Sequence, residues 1–136
     1  MKNQKNKGEF LKWFCDKVYA LSNLFYGDDD EIYARRLPEI EASLFEIRAA
    51  RLKIGSVYSR VAGMKECLVH VDNVVYEVEE YVAKGRISME ERKVCMEMLL
   101  SCTGDLLEIW YRMYFRSSKG QQAKLEGPEK ALLAAL

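Results

Sequence analysis

The chain has 136 residues, of which 49% are hydrophobic and 31% are charged, and its formal net charge is zero. This length fits one domain with a single sizeable core, and two prolines and eight glycines are few for an all-β protein. No apolar run reaches the roughly 18 residues that span a bilayer. The first ten residues are basic and lack the apolar core of a secretory signal, so we expect a cytosolic protein.

The first predicted helix ends at Gly27. Apolar residues at spacings of three and four form its stripe, which consists of Leu11, Phe14, Val18, Leu21 and Phe25. The aspartates at 28–30 are candidate N-caps for the helical turn that follows. Pro38 is followed by glutamates, a pattern typical of a first helical position, and it predicts the start of the second long helix.

The middle of the chain allows two interpretations. Apolar residues recur at every seventh position through it, at Ile40, Ile47, Ile54, Val61, Leu68, Val75 and Val82. This repeat fits one helix of more than forty residues, or two helices joined by a turn near Gly55 or Gly63. We favour the hairpin, because a helix much longer than about 25 residues is uncommon in a small domain.

The third predicted helix ends at Lys84-Gly85. Ser88 and Glu91 then have the spacing of a capping box, which predicts the start of the fourth helix. Four helices with short connections predict an all-α, antiparallel up-down-up-down four-helix bundle over residues 1–117. Residues 118–136 are rich in polar residues and glycine, and they predict a flexible tail.

No residue pattern predicts catalysis, a cofactor or a metal site. The four cysteines form no C-x-x-C pair, and the single histidine, His70, cannot complete a usual Cys/His zinc set. Neither a phosphate-binding loop nor an H-E-x-x-H motif occurs, and no nucleophile–base pair stands out. We therefore predict a non-enzyme in which the cysteines and His70 are structural.

The neutral total hides an uneven distribution of charge. In an up-down-up-down bundle the start of helix 1, the turn between helices 2 and 3, and the end of helix 4 share one pole. A concentrated basic pole is typical of phosphate binding. The candidate nucleic-acid-binding residues there are Arg48, Arg51, Lys53, Arg60, Lys65, Arg112, Arg116 and Lys119. Solvated charge without a ligand, or a head-to-tail contact between copies, remains the alternative.

The stretch DLLEIWYRMYFRSSKG at 105–120 combines an apolar stripe for the core with an aromatic face and an arginine face. The arginine face, Arg112 and Arg116, belongs to the basic pole. Leu106, Trp110 and Met113 continue the apolar stripe of helix 4, so we predict that they pack inside. Tyr111 and Phe115 point away from that stripe. Because interfaces favour aromatic and arginine contacts, we predict that this pair meets a partner.

The second half of the chain resembles the four-helix-bundle accessory variability determinant (Avd) of diversity-generating retroelements, and its relatives encoded in ribosomal RNA intervening sequences. The residues that carry the resemblance are a "G-x-I-S" turn, a leucine-rich helix 4, a tryptophan one turn later and a basic end. They are Gly85, Ile87, Ser88, Leu106, Leu107, Trp110, Arg112, Arg116 and Lys119. The VAG at 61–63 matches the family's helix 2–3 turn, which favours the later break.

The resemblance covers roughly residues 37–119, and it implies a function without catalysis. It implies a homo-oligomer, a pentamer in the family, that binds a reverse transcriptase and its template RNA. The basic pole is then expected to meet RNA phosphates and the polymerase. The alternative, which net neutrality and the surplus aromatics favour, is a protein–protein adaptor or regulatory bundle that binds no nucleic acid.

Overall fold

The computed structural model describes the backbone of residues 2–116 and the side chains of residues 8–114. Within this part the chain forms four helices: α1 (Lys2–Asn23), α2 (Asp30–Val57), α3 (Met64–Ala83) and α4 (Met89–Arg116). The predicted all-α class and the number of helices are therefore confirmed. The predicted tail at 118–136 lies outside the described residues.

The helices form an up-down-up-down bundle. Each helix packs against its neighbours in sequence, and α1 and α4 close the ring with the most extensive contact of all. Their apolar stripes meet in one core. The predicted stripe of α1 is fully buried, as are Ile40, Ile47, Leu68 and Val78 of α2 and α3. Val57, the last residue of α2, is exposed, whereas Tyr58 after it is buried.

The second helix begins at Asp30, not at Pro38. The Asp29 carboxylate accepts hydrogen bonds from the backbone N–H of Glu31 at 2.9 Å and of Ile32 at 3.3 Å, so a strong N-cap fixes the start upstream. Pro38 lies inside α2 and cannot donate to the Ala34 carbonyl. Both residues lie on the exposed face of the helix, where water can donate to that carbonyl in place of the missing N–H.

The hairpin between α2 and α3 is confirmed, at the later of the two predicted positions. Gly55 lies inside α2, and residues 58–63 form the turn. The turn is closed by backbone hydrogen bonds from Val61 N–H to the Tyr58 carbonyl and from Met64 N–H to the Val61 carbonyl. Gly63 has a φ of +83°, a conformation that side chains with a Cβ disfavour.

The capping box at the start of α4 is confirmed. The Ser88 backbone N–H donates to Glu91 Oε1 at 2.9 Å, and the Glu91 N–H donates to Ser88 Oγ at 3.1 Å. Gly85 ends the preceding helix with a φ of +80°. No helix within residues 2–116 carries an apolar stretch that would cross a bilayer.

Candidate binding surfaces

The bundle end that we call the turn end comprises the start of α1, the turn at 58–63 and the end of α4. A methyl group added at Gly63 would lie 3.6 Å from Arg112 Nη2 and 3.8 Å from Ile109 Cδ1. One added at Gly8 would lie 3.8 Å from Trp110 Nε1. Both glycines thus lie next to side chains of α4, and the three parts of the chain meet as the sequence predicted.

Three predicted cations are exposed at the turn end. Arg60 lies in the turn, Lys65 lies in the first turn of α3, and the Arg112 guanidinium lies beside Gly63, which stands between these two residues in the chain. None of the three forms an ion pair with a carboxylate among residues 8–114. Burial raises the pKa of the Cys67 thiol, and the charges of Asp105, Glu108 and Glu66 raise it further. Acidic residues therefore lie near these cations, and the surface is mixed in charge.

Two other predicted cations are held by α3. Arg51 donates to both carboxylate oxygens of Asp72, with Nε to Oδ1 at 2.7 Å and Nη2 to Oδ2 at 2.8 Å. Arg48 Nη1 lies 3.0 Å from Glu79 Oε2. Both pairs join α2 to α3 along the side of the bundle, so these guanidiniums have less capacity for a phosphate than unpaired ones. Lys53 lies with its ammonium 5.1 Å from the centre of the Phe10 ring.

The remaining predicted residues lie in the last two turns of α4 or beyond it. The backbone of Phe115 and Arg116 belongs to α4, whereas their side chains, and all of Lys119, fall outside the described residues. Tyr111 is half-buried, so its ring is shared between the bundle and its surface. Among the described side chains of 105–114, Tyr114 is an exposed aromatic, and its ring stacks on Trp110 at a centroid distance of 5.6 Å.

The structure reveals an exposed apolar surface, larger than the aromatic surface at the end of α4, that the sequence did not predict. It lies along α2 and α3, where Phe45 is 74% exposed, Leu52 70% and Tyr76 64%. These side chains border an open groove of about 700 Å³ between the two helices, which also contains the Arg48–Glu79 and Arg51–Asp72 pairs. Phe45 and Leu52 are seven residues apart on the side of α2 opposite Ile40 and Ile47. This second seven-residue spacing of apolar residues could have predicted the surface from the sequence.

At the opposite end of the bundle a buried arginine joins the two connecting loops. The Arg92 side chain is 2% exposed, and its Nη1 donates to Asp30 Oδ1 and to the Ile87 carbonyl, both at 2.9 Å. Its Nη2 donates to the Gly27 carbonyl at 3.3 Å, and the guanidinium lies 5.3 Å from the Tyr33 ring centre. Because its donors face main-chain carbonyls inside the protein, Arg92 has a structural role.

The cysteines and the histidine do not converge. Burial raises the pKa of Cys15, Cys95 and Cys102 to about 12, which keeps these thiols protonated. His70 Nδ1 lies 2.9 Å from Asp105 Oδ2 in a half-exposed pair between α3 and α4. Among the described residues no group of three His, Cys, Asp or Glu side chains is arranged to hold a metal ion.

Comparisons with known protein families, with characterised proteins and with solved structures give no match to this chain. Its class therefore follows from the architecture alone, and it is a four-helix all-α domain. The resemblance to retroelement accessory proteins stays a prediction.

Proposed function

We propose that this protein is a non-catalytic accessory bundle that self-associates and binds a reverse transcriptase, its template RNA, or both, as in a diversity-generating retroelement. The carrying observation is the cluster of Arg60, Lys65 and Arg112, which three separate parts of the fold bring to one exposed end. The reverse transcriptase and the retroelement come from the resemblance of the G-x-I-S turn and helix 4.

Electrostatics at the turn end supports contact with phosphates. Each cation that neutralises a phosphate releases condensed counterions, so binding is strong at low salt and weak at high salt. Arg112 lies beside Gly63 in the turn that also carries Arg60, and all three cations, with Lys65, are exposed and can donate outward. The neighbouring Glu66 and Glu108 limit this surface to a few phosphate contacts. We therefore expect modest, largely sequence-independent affinity for RNA.

The test is a gel shift of single-stranded RNA at low and at high salt. The triple variant Arg60→Gln, Lys65→Gln, Arg112→Gln should bind about 100-fold more weakly at about 0.1 M salt, because three single-strand phosphate contacts are lost. A matched control neutralises three exposed cations at the other end, Arg35, Arg86 and Lys93, and changes net charge equally. Absence of binding by the unaltered protein at low salt contradicts the proposal, as do equal losses in both variants.

A protein–protein adaptor without nucleic-acid binding is the second candidate function. The large exposed apolar surface on α2 and α3 favours it, because such surfaces mark contacts with other proteins. The ion pairs of Arg48 and Arg51 favour it too, since both cations already face carboxylates. This candidate predicts that a bound partner is recovered equally well with and without nuclease, and that both triple variants retain it.

A further inference from the structure

Helix α2 carries a second apolar stripe on its exposed side. We call it the outer seam, and its residues are Pro38, Ala42, Phe45, Ala49 and Leu52, followed by the small polar Ser56; all six are exposed. The buried stripe of the same helix, with Ile40, Ile47 and Ile54, faces the core of the bundle. An exposed helix face normally carries charged residues, so two apolar faces on α2 point to a contact on each side.

The spacing of the outer seam is that of a coiled-coil contact. From Pro38 onwards the steps are four, three, four, three and four residues, which matches the a and d positions of successive heptads. The seam covers 18 residue steps, or about 27 Å of helix at the usual rise. Small residues alternate with Phe45 and Leu52, so a second helix can approach closely at Ala42 and Ala49 while the large side chains interlock.

The charges that flank the outer seam change sign along the helix. On one flank Glu39 and Glu46 precede Lys53, and on the other Glu41 precedes Arg48. A parallel pairing of two such helices would place acidic residues beside acidic ones and basic beside basic. An antiparallel pairing places the acidic half of each helix over the basic half of the other. The flanking charges therefore favour a second copy of α2 in reversed direction.

Contacts within one chain leave these flanking charges available at the surface. Glu46 pairs with Lys17 at 2.9 Å, yet its side chain stays half-exposed. Arg48 pairs with Glu79, and most of its side chain is also exposed. Exposed ion pairs of this kind are worth little on their own, so the same charges can be shared with a second copy.

We propose that two copies of this chain pair through the outer seam, with α2 antiparallel to α2 across a two-fold axis. Each Phe45 then lies beside the groove between α2 and α3 of the other copy, where Tyr76 provides an aromatic wall. The contact is isologous, because the same patch serves both partners. This pairing specifies a two-fold contact for the self-association in the proposed function, and it differs from the pentamer that the family resemblance implies. It is independent of RNA binding at the turn end.

The first test compares molar mass by light scattering and sedimentation equilibrium. The unaltered protein should reach about twice the 15.8 kDa of one chain. Phe45→Asp should raise the dissociation constant about 100-fold or more, as expected when an aromatic anchor at the centre of an interface is replaced by a charge. The matched control is Val94→Asp, which alters an exposed apolar residue of α4, diagonally opposite α2. Circular dichroism checks that both variants fold.

Three results overturn the pairing. They are a protein that stays monomeric at every concentration, equal effects of Phe45→Asp and Val94→Asp, and an assembly larger than two chains whose mass Phe45→Asp leaves unchanged. If RNA binding is absent while Phe45→Asp dissociates the pair, the proposed RNA contact fails and the pairing stands. If the pairing fails while the turn-end variant loses RNA binding, the reverse holds.

The second test distinguishes an antiparallel from a parallel arrangement of the two α2 helices, by whether a charge reversal beside the outer seam weakens dimerisation. In the antiparallel pair Ala42 and Ala49 of one helix face Leu52 and Phe45 of the other, so Glu39 lies near Lys53 of the other copy on the same flank. Glu39→Lys therefore brings two lysines together and should weaken dimerisation. In a parallel pair the same change would lie on the Glu41 side of the other copy and would not weaken it. The double variant Glu39→Lys, Lys53→Glu should restore the affinity of the antiparallel pair. Unchanged or tighter association of Glu39→Lys contradicts the antiparallel arrangement.

Discussion

Arg92 offers the sharpest test of what holds the far end of the bundle together. We consider Arg92→Met, which keeps the length of the side chain and removes its donors. The substitution leaves the Ile87 and Gly27 carbonyls without the donors that reach them at 2.9 and 3.3 Å. The Tyr33 ring also loses the cation above it.

The magnitude follows from the separate contacts. A hydrogen bond from a charged donor is worth roughly 1.5–3 kcal/mol, and there are two to main-chain carbonyls. Relief from burying a guanidinium offsets part of this loss. We therefore expect the free energy of unfolding to fall by about 3 kcal/mol, which lowers the melting temperature by roughly 6–12 °C for a domain of this size.

The matched control is a substitution of Asp30, whose carboxylate accepts a hydrogen bond from Arg92. Its side chain is 74% exposed, so water screens the pair with Arg92. Asp30→Asn retains an oxygen acceptor, and we expect it to lower the free energy of unfolding by about 1 kcal/mol or less. The assay is equilibrium unfolding in urea with circular dichroism. The reasoning is refuted if Arg92→Met is as stable as the unaltered protein, or if Asp30→Asn destabilises the fold as much as Arg92→Met does.

Two further predictions concern titratable groups. Hydrogen bonding to the Ser88 backbone N–H lowers the pKa of Glu91 below its usual 4.5, so its contribution to stability is present above that value and is lost as pH falls through the lowered pKa. The stability advantage over Glu91→Gln should therefore disappear in acid, and an advantage that is constant with pH in urea unfolding contradicts it. In the folded protein a thiol reagent at mildly alkaline pH should label Cys67 first, because it is half-buried whereas Cys15, Cys95 and Cys102 are buried. Burial raises the pKa of Cys67 as well, and it raises that of the other three thiols to about 12. Cys67→Ser should remove the fast phase, and a fast phase that persists in this variant refutes the assignment.

Apolar periodicity and capping chemistry were sufficient to predict the fold. The buried stripe of α1 and the capping box of Ser88 and Glu91 depend on neighbours within one or two turns, and sequence reports these directly. Pro38 misled because a proline rule is local, whereas the helix start was fixed eight residues earlier by the Asp29 cap. Residue spacing alone did not choose between Gly55 and Gly63, since either glycine fits a turn; the resemblance favoured the later position, and the backbone places the turn there.

The candidate surfaces were predicted less completely, because pairing across helices is not encoded in local spacing. Blocks of charge correctly placed Arg60, Lys65 and Arg112 near one end. They did not reveal that Arg51 meets Asp72, 21 residues further along the chain. The outer seam was not predicted for a related reason. The regular spacing of core residues in α2 is the dominant pattern, and it makes a second apolar stripe on the other side of the helix hard to recognise.

Salt dependence of RNA binding tests the central claim most directly. Fluorescence anisotropy with single-stranded RNA gives the slope of log K against log salt, and each phosphate contact contributes about −0.7 to it. The account predicts that neutralising Arg60, Lys65 and Arg112 makes the slope less steep by about 2. It also predicts that the matched variant of Arg35, Arg86 and Lys93 keeps the slope of the unaltered protein. Equal slopes for all three proteins, or no binding at low salt, would contradict it.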